Sequence, residues 1–231
     1  MNPTPILAKA LQELDKAMQG ALDGTKISAI KDTIRGFAIS AAIASAVAGL
    51  APGVAGVVAL LTQTGFVWAT YVKINKTLGI SMTENTAKFL GSAIVTNIAL
   101  NAGAFFVAVI IAGLFSMLPG LGSAAAAAID AAMGYVIIYA AAVIYLKLIT
   151  HFVKPDGTID IAETDSTKQV IKGIVRESNL RDIIKEGRDS YKEAKKDGSI
   201  DQAKAHPKCP GCGADIQPEQ KYCSRCGIQL G

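Results

Sequence analysis

Gly49-Leu50-Ala51-Pro52-Gly53-Val54-Ala55-Gly56 and Ser116-Met117-Leu118-Pro119-Gly120-Leu121-Gly122-Ser123 are the two points at which the long apolar runs of this chain are broken. Both read apolar, Pro, Gly, apolar, small, small. Proline lacks a backbone donor and clashes with the preceding helical turn, and the glycine beside it permits a reversal. Around the first break, residues 36–72 are 37 residues without a charge. Around the second, residues 89–146 are 58 residues with one charge, Asp130. Apolar arms broken once near the middle predict two antiparallel helical hairpins. Their tips are Pro52-Gly53 and Pro119-Gly120, a weak internal repeat offset by 67 residues.

The chain has 231 residues, 51% of them hydrophobic and only 18% charged, with a mean hydropathy of +0.35. That is oilier than an ordinary soluble domain. The net charge of +4 belongs to the apolar part: residues 1–154 hold ten basic and six acidic side chains, and the remainder is balanced. A basic excess on an oily segment points to an anionic membrane surface more than to nucleic acid.

Lys26, Lys31, Arg35, Lys73, Lys76, Lys88, Lys147 and Lys154 fall near the open ends of the two hairpins, whereas the tips carry no charge. If the hairpins enter a bilayer, the positive-inside rule places the open ends and both termini in the cytoplasm. A span needs about 20 apolar residues. Residues 89–118 and 121–146 reach that length, but the first arm, residues 36–51, is shorter and rich in Ala and Ser. The second hairpin is therefore expected to span or insert deeply, and the first to be re-entrant or protein-buried. A soluble all-α bundle with an Ala-rich interior would give much the same pattern; the membrane reading is preferred.

The expected organisation is all-α in four parts. Residues 1–25 hold an amphipathic helix over 5–22, with Ile6, Leu7, Ala10, Leu11, Leu14, Ala17, Met18, Ala21 and Leu22 at helical spacing and Asp23-Gly24 as its stop. Packing on the protein's own core is preferred for it over lying in the headgroup layer, because its polar face carries mixed charge. Residues 26–153 are the double hairpin. Residues 154–205 open with the turn Lys154-Pro155-Asp156-Gly157 and continue as charged helices, with a break or cap at Ser178-Asn179 and a stop at Asp197-Gly198. Residues 198–208 read as a flexible link to the fourth part, residues 206–231.

That fourth part contains all four cysteines, as Cys209-Pro210-Gly211-Cys212 and Cys223-Ser224-Arg225-Cys226. Two CxxC knuckles aim four thiolates at one point, which suits Zn2+ in a tetrahedral ribbon site. Gly211, Gly213 and Gly227 stand where a knuckle needs backbone freedom. A segment this short cannot build a core, so the metal would supply its folding energy. The site also implies a reducing compartment. Two disulfides in a secreted module are the rival reading, which the spacing disfavours.

Within the oil, Gln63 and Asp130 each follow their Pro by the same interval and so lie at equivalent depths, roughly 15 Å from their tips. They are candidates for a buried polar pair. A wet or partner-covered Asp130 is the preferred reading. Ser92, Thr96 and Asn101, with Asn97 beside them, form a polar strip expected to hydrogen-bond between helices. There is no GxxxxGK[ST], GxSxG or HExxH motif and no catalytic constellation, so no enzyme is expected. His151 sits at an open end, and His206 precedes a ligand shell that four cysteines already fill.

Residues 39–145 resemble a known family. The resemblance is carried by Ala51-Pro52-Gly53, the run to Tyr71, Leu78-Gly79-Ile80-Ser81-Met82-Thr83 and Leu118-Pro119-Gly120-Leu121-Gly122. This stretch is similar to the hydrophobic domain of unknown function attached to some bacterial Era-like GTPases and also found alone. The resemblance implies a helical, membrane-associated domain. No GTPase signature is present, so nucleotide hydrolysis is not implied. Residues 208–227 resemble the short zinc ribbons appended to many prokaryotic membrane proteins.

The function expected is a non-enzymatic protein of the cytoplasmic membrane. It would contact membrane lipid and present its ribbon or charged helices to a protein partner, with room for homo-oligomer contacts between hairpins. A ribbon with Lys221 and Arg225 set against Asp215 and Glu219 is neutral, so no nucleic-acid partner is expected. The alternatives are a pore-forming or membrane-remodelling effector and a soluble helical adaptor for a separate GTPase.

Overall fold

A computed structural model of the protein describes residues 5–48, 57–115, 123–205, 209, 212–217, 220 and 222–227, without the side chains of 47–48, 57–64, 103–115 and 123–126. Among these residues the only regular elements are eight helices: α1 (Ile6–Ala17), α2 (Gly24–Ala48), α3 (Val57–Leu78), α4 (Glu84–Phe115), α5 (Ser123–Phe152), α6 (Asp165–Glu177), α7 (Leu180–Lys196) and α8 (Ser199–Ala205). The helices α2–α3 and α4–α5 flank the two Pro-Gly breaks, as the hairpin reading expects. Pro52, Gly53, Pro119 and Gly120 themselves lie outside the described residues.

The sequence of α5 is apolar on every side, so the helix has no face that prefers water. It forms the centre of the bundle, packed by α1, α2, α3, α4, α6 and α7. Every residue from 134 to 146 is buried. Close approach to α2 depends on Gly134: a Cβ there would stand 2.4 Å from Ser45 Oγ and 2.6 Å from the Ala41 carbonyl oxygen. Gly187 of α7 similarly lies against the ring of Tyr139.

The amphipathic helices close over α5. Ala10, Leu11 and Leu14 of α1 are fully buried, so this helix packs on the protein's own core. It is shorter than the periodicity suggests. Gln19 and Gly20 adopt φ of 57° and 80° and end it, Asp15 Oδ1 accepts from the Leu22 amide at 2.9 Å, and α2 begins at Gly24. The charged segment presents Ile171, Val175, Ile183, Ile184, Tyr191 and Ala194 to the same core. Its expected break is present: α6 ends at Ser178, and the Asn179 side chain caps α7 through the Asp182 amide. The Lys154–Gly157 turn is closed by a 2.8 Å hydrogen bond from the Gly157 amide to the Lys154 carbonyl, with φ of 79° at Gly157. Gly198 at φ 78° follows α7. Beyond it the chain departs from the expected flexible link: α8 forms because Ile200 is buried against the bundle.

Candidate metal centre

The four cysteines converge. Their sulfurs all lie within 4.8 Å of one another, with Cys209 Sγ 3.5 Å from Cys226 Sγ and Cys212 Sγ 3.6 Å from Cys223 Sγ. These separations exceed an S–S bond of about 2.05 Å, and none of the four cysteines is in a disulfide. Four thiolates about 2.3 Å from a central ion would stand about 3.8 Å apart along the tetrahedron's edges. The cluster therefore fits a tetrahedral thiolate-bound cation, a geometry common to zinc and iron.

Backbone hydrogen bonds shape each knuckle. The Cys209 amide donates to the Ala214 carbonyl and the Gly213 amide to the Cys209 carbonyl, both at 2.7 Å; the Gly227 amide donates to the Cys223 carbonyl at 2.8 Å. Gly213 and Gly227 have φ of 71° and 72°, the left-handed region expected at these positions. Gly211 lies outside the described residues. Burial opposes ionisation of Cys223, but amide donors at Cys226 and Arg225 and the thiols of Cys209 and Cys212 outweigh it and bring its pKa down to about 6. A thiolate favoured near neutral pH is a ready metal ligand. Between the knuckles, Gln220 ties the loop by accepting from the Gln217 amide at 3.0 Å and donating to the Tyr222 carbonyl at 2.7 Å.

The other sequence candidates do not assemble into a second site among the described residues. Asp130 is half-buried on α5, and the Gln63 side chain lies outside the described residues, so their pairing does too. His151 is exposed and meets Phe152 edge-on; His206 lies outside the described residues. The polar strip on α4 differs from expectation. Ser92, Thr96 and Asn101 face outward, and Asn97 and Asn101 donate to carbonyls of their own helix, at Ala93 and Asn97. The strip is an exposed face whose two asparagines bond within α4, rather than an interhelical lock.

A polar cluster that the sequence reading missed joins α1, α5 and α7. Glu186 accepts from the Ile6 amide at 2.6 Å, from the Leu7 amide at 3.1 Å and from the Tyr139 hydroxyl. It caps α1, which has no side-chain cap of its own. Beside it, the Tyr135 hydroxyl meets Ser190 Oγ at 2.9 Å. Deeper in the bundle, Tyr71 and Tyr145 stack at 3.8 Å; their hydroxyls donate to the Ala141 carbonyl and to Asn75 Oδ1. The available signal was four tyrosines in nearly charge-free runs, since a buried phenol needs a partner.

No protein-family model, curated relative or solved structure matches the chain.

Proposed function

We propose that the chain is a non-enzymatic, membrane-associated helical protein that presents a zinc-ribbon docking module in the cytoplasm. The observation that carries this reading is the division of the bundle. Charged helix α7 packs along α5 between Lys147 and Tyr135, and Arg35 of α2 meets Asp197 and Ser199 between α7 and α8, while the sequence toward the Pro-Gly breaks is almost free of charge. Contact with lipid would satisfy the apolar end, and the basic excess of residues 1–154 favours anionic headgroups. Zinc is the preferred ion because a closed four-cysteine shell with two knuckles suits a structural site, where Cys209, Cys212, Cys223 and Cys226 would hold the metal and the metal would hold the fold. With both termini on the water side, the ribbon and the charged helices would be free to meet a protein partner.

Purified protein is expected to float with vesicles containing phosphatidylglycerol in a density gradient. Protein left at the bottom of the gradient would reject the membrane reading.

One observation favours a second reading, the soluble adaptor. Among the described residues a single helical segment, Ala127–Phe152, is long and apolar enough to cross a membrane, with a mean hydropathy of 1.9, and its apolar window is 89% buried inside the protein. A helix this enclosed is equally a core helix.

A further inference from the structure

Among the described residues, three large hydrophobic side chains stand exposed: Val72 on α3, Leu100 on α4 and Tyr222 in the ribbon. Helices α1 and α7, whose side chains are all described, expose none. The oily part of the bundle's described surface therefore belongs to α3 and α4. These two helices approach closely at Gly91, where a Cβ would stand 3.3 Å from Val67 Cγ1 and 3.6 Å from the Trp68 backbone nitrogen. The approach leaves Trp68, the sole tryptophan, half-buried beside the first turns of α4. Val72 and Lys76 follow Trp68 at intervals of about one helical turn, and both are exposed.

Lysines edge this face. Lys88 Nζ lies 5.2 Å from the centre of the Trp68 ring, and Lys168 Nζ of α6 lies 5.8 Å from the centre of the half-buried Phe89 ring. Lys172, one turn further along α6, is exposed. Lys88 and Lys168 also pair with Glu84 at 2.6 Å and with Asp165 at 2.8 Å. All four of these side chains are exposed to water, and exposed pairs are weak, so each lysine can exchange its carboxylate for another anion at little cost. Aromatic rings with lysines around them are the chemistry of a lipid interface. The indole settles between headgroups and acyl chains, and lysine lays its stem on apolar surface while its ammonium reaches phosphate. Together α3, α4 and α6 carry six basic and three acidic side chains. That excess complements an anionic lipid surface. It disfavours a second copy of the chain on the same face, because a two-fold contact would set one basic edge against another.

We infer that the face shared by α3 and α4, with the adjoining edge of α6, is where the bundle meets an anionic lipid surface. Trp68 lies at the boundary between headgroups and acyl chains, and Lys76, Lys88, Lys168 and Lys172 reach lipid phosphates. The inference rests on the membrane-associated reading, and the experiment separates the two. Full-length protein is titrated with phosphatidylethanolamine–phosphatidylglycerol vesicles whose acyl chains are brominated near the headgroup end, and the emission of Trp68 is followed. Binding is measured separately by flotation for the wild type and for two charge-matched double variants. One, Lys76→Glu with Lys172→Glu, reverses charge on the assigned face; the other, Lys16→Glu with Lys185→Glu, makes the same change on α1 and α7. Circular dichroism confirms the helical fold of each. The expected results are quenching of Trp68 by the brominated chains and a loss of vesicle affinity of at least about tenfold for the first variant, several-fold greater than for the second. Vesicle binding with Trp68 unquenched, or with the two variants weakened alike, would overturn the assigned face while leaving membrane association intact. No vesicle binding by the wild type would overturn both.

Discussion

At the scale of single residues, two glycines and four cysteines set the terms. Ala at position 134 would place its Cβ against backbone, the Ala41 carbonyl, which cannot swing away. Gly134→Ala should therefore force α2 and α5 apart and lower stability by about 1–3 kcal/mol in urea unfolding. Gly187→Ala meets the Tyr139 ring at 3.1 Å, a milder contact that a small ring movement relieves, so the loss should be smaller. Equal losses at the two positions would argue against the close α2–α5 approach. In the ribbon, Cys212→Ser breaks a shell whose sulfurs all lie within 4.8 Å of one another. On the proposed zinc reading, metal measured by mass spectrometry of the desalted protein should fall from one equivalent of zinc in the wild type toward none in this variant, with helical circular dichroism nearly unchanged. The cysteines were legible in the sequence because ligand spacing is local. The Glu186–Tyr139 contact was not, because it joins residues 47 apart in the chain, and only the docking of α7 on α5 brings them together.

At the scale of elements, the helices explain both what was legible and what was not. The Asn179 cap and the Lys154–Gly157 turn are set by residues whose backbone chemistry is specific, and both appear at their expected places; the Pro-Gly breaks lie outside the described residues. The end of α1 and the existence of α8 depended on tertiary packing, of Leu22 in one case and Ile200 in the other, which no local signal announced. Helix α1 depends on a cap from another element. Glu186→Ala should leave the Ile6 and Leu7 amides without their acceptor and speed their hydrogen exchange, at a cost of about 1.5–3 kcal/mol for a charge-assisted bond. The junction of α7 and α8 with α2 has a pH signature. Hydrogen bonds from Ser199, assisted by Arg35, hold the Asp197 carboxyl down at about 2. A depressed folded pKa contributes stability that is fully present above the ordinary aspartate value and is lost as pH falls toward 2. The difference in urea midpoint between the wild type and Asp197→Asn should be present at neutral pH and vanish near pH 2. A difference that persists there would assign the effect to something other than this carboxylate.

At the scale of the whole molecule, an oily chain has folded so that its apolar helix α5 is enclosed among the described residues and the charged helix α7 packs along it. Composition alone could not separate a spanning helix from a core helix, since both are apolar on all sides; what encloses α5 comes from α1–α4 upstream and α6 and α7 downstream, at separations no local pattern reports. On the proposed reading the chargeless sequence around the Pro-Gly breaks is held in lipid. The most direct measurement is fractionation of cells producing the full-length protein, with the membranes washed first in high salt and then in alkaline carbonate. Insertion of apolar helix ends predicts that the protein stays with the membrane pellet through both washes. Recovery in the supernatant, before or after the salt wash, would contradict the claim and leave the apolar end as a surface for another protein.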